Sequence, residues 1–213
     1  MGTAARWDSS ALRLIAITDS LRDGVQGLAA RAQLAAQGGV TMLQLRLREE
    51  SPRTLVEVAR TLRAAAPGIP LIVSARADVA MAACAQGVHL GWEDMAPGIL
   101  RRIVPADFII GVSVGDDPEV ARAHGADYVA IGPVFGVGGT GAGGTAIGIA
   151  RFADLARQCG LPAVAVGGVS AENAGAIMRA GASGLAAISA LFAAKNPTQA
   201  ARALRDAQDA IGS

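Results

Sequence analysis

Residues 162–190 read as strand, glycine turn, helix, strand and the start of another helix. The apolar run Ala163-Val164-Ala165-Val166 breaks at Gly167-Gly168, and Gly184-Leu185-Ala186-Ala187-Ile188 ends at Ser189. Small residues at two neighbouring strand ends leave backbone N–H groups bare, and the helices that follow add partial positive charge, which is what a phosphate group needs. The same glycines also suit plain tight strand-to-helix turns. Other side chains with chemistry lie earlier in the chain. Gln44, Arg46 and Arg48 share one face of an alternating strand, residues 41–48, whose other face carries Leu43, Leu45 and Leu47. Inward arginines require something anionic beside them, and their planar forks match phosphate oxygens. That partner is a second phosphate or a pyrophosphate, or an internal ion pair with Asp19 or Asp94. Asp94 itself either holds Mg2+, an ion shared between carboxylate and substrate phosphate, or caps the helix that follows. Ser113 closes another strand. His89 either packs between strand and helix or takes part in catalysis. His124, next to Gly125, reads as an exposed helix C-terminus.

Composition narrows the classes. The chain has 213 residues, with 19 basic and 18 acidic side chains and a net charge of +1, so it offers no electrostatic footprint for nucleic acid and no basic tail for a membrane. Aromatic residues make up 3%, too few for a base-stacking surface. The N-terminal ten residues contain no apolar signal segment, and a cytoplasmic location is expected. Cys84 and Cys159 have no metal-type spacing and read as small buried hydrophobes in a reducing compartment. Lys195 is the chain's single lysine, so no other lysine is available for catalysis.

These residues need a frame that brings strand ends together. Apolar runs recur at residues 12–18, 41–48, 70–74, 88–90, 108–113, 128–132, 163–166 and 184–188, and each is followed by a segment of helical spacing or a helix start. Ser51-Pro52 marks one helix start, and Gly38-Gly39 marks a helix end. No linker divides the pattern. A chain of this length with that alternation predicts the α/β class and a single (β/α)8 TIM barrel over residues 1–213, with its chemistry at the C-terminal strand ends. Residues 1–10 are expected to be flexible. The glycine-rich run 136–148, after the sixth strand, reads as a lid loop over the mouth or as a surface loop without a role.

Several stretches, taken in order, resemble the thiamin phosphate synthase and thiazole tautomerase family. They are Leu14-Ile15-Ala16-Ile17-Thr18-Asp19, Gly39-Val40-Thr41-Met42-Leu43-Gln44-Leu45-Arg46, Pro70-Leu71-Ile72-Val73, Gly87-Val88-His89-Leu90-Gly91 with Glu93-Asp94, Ile110-Gly111-Val112-Ser113, Ala126-Asp127-Tyr128-Val129 with Gly132-Pro133-Val134-Phe135, and Val166-Gly167-Gly168-Val169. The resemblance implies a TIM barrel that joins an aminopyrimidine methyl pyrophosphate to a thiazole phosphate with the help of Mg2+. It implies that Gln44 and Arg46, with Arg48, face the pyrophosphate, that Asp94 holds Mg2+ and that Ser113 touches the pyrimidine. Gly167, Gly168, Ile188 and Ser189 would hold the thiazole phosphate. A homo-oligomer is expected on the same ground. The chain departs from the family's pattern at four places. Arg46-Leu47-Arg48 replaces Arg-x-Lys, Ser74-Ala75 replaces Asn-Asp so that one of the family's Mg2+ carboxylates is missing, the glycine loop lacks the lysine of the synthases, and Pro133 stands where tautomerases carry a histidine. A tautomerase-like paralogue acting on the thiazole phosphate alone, or a non-catalytic barrel that binds a phosphate ester, are the alternative readings.

Overall fold

A computed structural model describes residues 7–18, 20–136 and 145–210. The strands are β1 (Leu14–Ile17), β2 (Met42–Leu45), β3 (Leu71–Ser74), β4 (Gly87–Leu90), β5 (Ile109–Val114), β6 (Tyr128–Ile131), β7 (Ala163–Val166) and β8 (Gly184–Ala187). The helices are α1 (Gly24–Gln37), α2 (Pro52–Ala65), α3 (Ala77–Ala82), α4 (Pro97–Leu100), α5 (Asp117–Val120), α6 (Gly148–Cys159), α7 (Ala171–Arg179), α8 (Ser189–Phe192) and α9 (Pro197–Asp209). All strand pairs are parallel, and β8 returns to β1, so the sheet closes into the expected barrel.

The strands read as continuous apolar runs because both of their faces are covered. Successive side chains go to opposite faces and build two cores. Ile15, Ile17, Met42, Ile72, Ile109, Tyr128, Val164 and Ala186 fill the barrel. Leu14, Ala16, Leu43, Leu45, Val73, Val88, Ile110 and Val112 pack outward against the helices. A short 3-10 turn, Ser9–Leu12, begins at the end of the stretch 1–10 expected to be flexible and adds Leu12 to the inner core from below. Trp7 meets Tyr128 edge-on with ring centroids 6.3 Å apart.

Local signals explain several element ends. Ser51 accepts a hydrogen bond from the Thr54 N–H at 3.2 Å, and Pro52 opens α2, as its missing N–H allows. Asn173 and Ser170 form a reciprocal capping box at the start of α7. Other bounds differ from the sequence expectation. Strand β2 ends at Leu45 rather than at residue 48. Helix α4 is a single turn opened by Pro97. Cys84 is exposed and Cys159 half-buried, so the expectation of two buried thiols is corrected. Cys84 sits in a left-handed turn (φ 53°) after α3, which carries its side chain off the core.

Candidate active site at the mouth of the barrel

The inward-facing positions change character toward the C-terminal strand ends. Below, they are Ile15, Met42, Ile72 and Ile109. Above, they become Gln44, Arg46, Ser74, His89 and Ser113 on the β2–β5 side, and Ala130, Val166 and Ile188 on the β6–β8 side. The register sets this level, since Ser74 pairs with His89, His89 with Gly111, and Ser113 with Ala130. The mouth therefore has a polar half of side chains and a half made of small residues, apolar side chains and backbone.

In the polar half, Gln44 is buried and its Nε2 donates to Ser74 Oγ at 2.9 Å. That bond directs the Gln44 side-chain carbonyl away from Ser74 as an acceptor. Arg46 follows the end of β2 and is half-buried. Its backbone is held by Thr18, whose buried Oγ1 accepts from the Arg46 N–H at 2.8 Å and donates to the Arg46 carbonyl at 3.3 Å. Burial first, and then the Arg48 charge, pull the Arg46 guanidinium below its ordinary value. An anion in front of it would offset both effects. Arg48 is exposed, because the strand that would have turned it inward has already ended. The expectation of two inward arginines is corrected to one. Of the two acids considered as internal partners, Asp19 lies outside the described residues.

His89 lines the barrel interior instead of packing between strand and helix. Its Nδ1 lies 3.0 Å from the Tyr128 hydroxyl and its Nε2 lies 3.0 Å from Ser113 Oγ. Complete burial, and after it the Arg46 charge, lower its pKa from 6.5 to about 4, so the ring is neutral at neutral pH. Tyr128 reaches this layer because residue 111 is glycine. A Cβ there would stand 2.2 Å from the Tyr128 ring. Tyr128 and Thr18 were not recognised from sequence. The signal available was the inward phase shared by residues 109, 111 and 113 on β5, with a glycine facing the one tyrosine.

On the opposite half, the pairing of Val166 with Ala186 brings residues 167–168 beside 187–188. Gly167 and Gly168 adopt φ values of 90° and 62°, and Cβ atoms on them would lie 2.5 Å from Pro133 and 2.6 Å from Phe135. Glycine is thus required twice over, by backbone conformation and by close approach. The Gly168 carbonyl accepts from Asn173 Nδ2 at 2.8 Å, which ties this turn to the start of α7. Ile188 turns its side chain toward the inner core and precedes α8, so its neighbour Ser189 begins a helix whose first N–H groups have no intrahelical acceptor. Gly167, Gly168, Ile188 and Ser189 are brought together. The lid expectation for 136–148 rests largely on residues 137–144, which lie outside the described residues.

Asp94 does not cap α4, whose N-cap is Ala96. It turns back on its own loop, where Oδ2 accepts from the Gly91 N–H at 2.6 Å and the Asp94 carbonyl accepts from Arg122 at 2.9 Å. Residue 75, at the adjacent strand end, is alanine in a left-handed conformation (φ 63°), with its N–H on the His89 carbonyl at 2.8 Å. Arg76 and Asp78 pair with each other at 2.5 Å. Among the described residues no three His, Cys, Asp or Glu side chains gather as metal ligands. A lone carboxylate with one oxygen already committed does not make the pair of acidic ligands that the resemblance implies for Mg2+. Among the described residues, no helix is long and apolar enough to cross a membrane.

Comparison with known proteins gives a consistent result. The family model described as thiamine monophosphate synthase matches residues 14–191. A thiamine-phosphate synthase of Azorhizobium caulinodans is 45% identical over 198 residues, covering 91% of this chain and 93% of its own length. One from Xanthobacter autotrophicus is 42% identical over 200 residues, covering 92% and 95%. Among solved structures, the thiamine phosphate pyrophosphorylase of Pyrococcus furiosus superposes with a TM-score of 0.85 at 31% identity, covering 96% of this chain and 99% of its own.

Proposed function

The chain belongs to the thiamine monophosphate synthase family, and from that premise we propose that it joins an aminopyrimidine methyl pyrophosphate to a thiazole phosphate, forming thiamin phosphate and releasing pyrophosphate. The observation that carries this reading is the division of the mouth. Gln44, Arg46 and Ser113 stand on one half, and the Gly167-Gly168 and Ile188-Ser189 backbone stands on the other. Two phosphorylated partners meeting over one barrel require two such halves.

In the proposed reaction the bond between the pyrimidine's methylene carbon and the pyrophosphate oxygen breaks, and its electron pair leaves with the pyrophosphate. The thiazole nitrogen then donates its lone pair to that carbon, and no proton needs to move. Charge grows on the departing pyrophosphate, and Arg46, the half-buried cation of the mouth, is placed to receive it. Gln44 and Ser113 orient the pyrimidine, and the glycine turn with the start of α8 anchors the thiazole phosphate. No step is routed through Mg2+, because Asp94 alone represents the expected ligand set. Tautomerisation of the thiazole phosphate needs a proton carrier, and Pro133 supplies none. We place the protein in the cytoplasm, where the exposed Cys84 stays a thiol, and we expect a homo-oligomer, measurable by light scattering.

The test is direct. The purified protein is incubated with both precursors and Mg2+, and thiamin phosphate is measured by chromatography. Product formation that disappears in Arg46→Ala supports the reading, and no product above background overturns it.

A further inference from the structure

From the hydrogen-bond geometry around His89 we infer that Tyr128 and His89 act as positioning residues that fix the direction of the Ser113 hydroxyl, making it a hydrogen-bond donor into the mouth. The inference rests on the synthase reading for what Ser113 meets, but its physical content is independent of it. A neutral imidazole carries one N–H, and the neighbours of the ring decide which nitrogen holds it. Tyr128 is fully buried, meets the Trp7 ring edge-on and belongs to the apolar inner core with Leu12, Met42 and Ile109. Its hydroxyl has His89 Nδ1 as its one polar partner among the described contacts. If Nδ1 carried the proton, the tyrosine oxygen would accept and its own O–H would point into apolar surroundings without an acceptor. If Nδ1 is bare, the tyrosine O–H is satisfied. The ring proton then sits on Nε2 and is donated to Ser113 Oγ. With its oxygen occupied in this way, Ser113 turns its own hydrogen toward the mouth, where it is half-exposed.

The order Tyr128 to His89 to Ser113 to ligand has a consequence for selectivity. The ligand atom above Ser113 must be an acceptor, such as a pyrimidine ring nitrogen or a phosphate oxygen. The other polar groups facing this layer are Gln44 and Arg46 of β2 and its extension, and Ser74 of β3. Gln44 donates to Ser74, and Arg46 repels a proton from the ring. None of them competes for His89 Nδ1. Burial keeps the ring neutral, so the choice between tautomers is the one that matters at neutral pH.

The chain has two histidines, so nitrogen-15 labelling of histidine yields two ring systems, and His124→Gln assigns them. Long-range proton–nitrogen spectra of the whole protein at neutral pH are expected to show His89 as a single Nε2–H tautomer. Tyr128→Phe is expected to leave a mixture of tautomers and to lower kcat/KM for the pyrimidine substrate on the order of tenfold, the scale of one lost orienting hydrogen bond. An Nδ1–H tautomer in the wild-type protein overturns the inference, as does a folded Tyr128→Phe protein whose His89 keeps its tautomer. If Tyr128→Phe does not fold, the wild-type spectrum alone decides. Absence of synthase activity in the wild-type protein would sink the functional reading and leave the spectroscopic result to judge the relay.

Discussion

Arg46 and Arg48 are separated by one residue and differ in what the fold does with them. Thr18, just past the end of β1, grips the Arg46 backbone, and this holds the side chain over the barrel although the strand has ended. Nothing of the kind turns Arg48 inward, and it is exposed. Arg46→Ala is therefore expected to lower kcat by roughly a hundredfold or more, the range seen when one group stabilising transition-state charge is removed. Arg48→Ala should stay within about threefold, as expected for a screened surface charge. Steady-state kinetics on both variants, with unfolding curves to show equal stability, check this. Ala75 supports a second prediction. A left-handed φ is uncommon for alanine and better tolerated by Asp. Ala75→Asp would set a second carboxylate beside the Asp94 loop without straining the backbone. Calorimetric titration with Mg2+ alone should show binding at least about tenfold tighter than in the wild-type protein. Equal affinity would mean that the two strand ends do not face one ion.

At the scale of elements, the glycine turn after β7 is the most constrained piece of the mouth. A side chain at residue 167 or 168 meets Pro133 or Phe135 in the β6 loop and must also hold a positive φ. Gly168→Ala should cost about 1–3 kcal/mol of stability. It should raise KM for the thiazole phosphate far more than KM for the pyrimidine pyrophosphate, since the proposed function assigns the two ligands to opposite halves. Equal rises in both KM values would contradict that division. This turn was legible in the sequence, because glycine pairs after apolar runs report a local backbone requirement. So were the strands, whose inward and outward phases follow a period of two. What escaped were the relations between strands. The expected inward phase of residues 41–48 was correct as far as Arg46 and failed at Arg48, because where a strand stops depends on the pairing of its neighbours. Asp94 reads in the sequence as a Mg2+ ligand or a helix cap, whereas its hydrogen bond from the Gly91 N–H is a property of a loop that no spacing rule describes. Tyr128 and His89 lie 39 residues apart and are joined only across β5, where Gly111 pairs with both.

At the scale of the whole molecule, the barrel interior passes from an apolar plug to a polar mouth, and His89 lies at that boundary. It is buried as a neutral ring between two hydroxyl groups, so its pKa falls from 6.5 to about 4, by burial first and by Arg46 second. The sign of the linked stability follows from proton counting. Between those two values the unfolded chain binds a proton that the folded chain does not, so stability is fully present above pH 6.5 and falls as the pH drops toward about 4. Below that the folded protein is protonated too, and the contribution levels off. From about pH 7.5 to about pH 5 the loss from this one group is about 2 kcal/mol. Carboxylates titrate mostly lower, so they do not hide the effect in this interval. His89→Gln keeps an N–H donor and has no proton to gain. Urea unfolding of both proteins at the two pH values should show the wild type losing about 2 kcal/mol more than the variant. An equal loss in both would mean that the ring is solvated in the native state, and that the polar mouth extends below the layer where the interior now turns apolar.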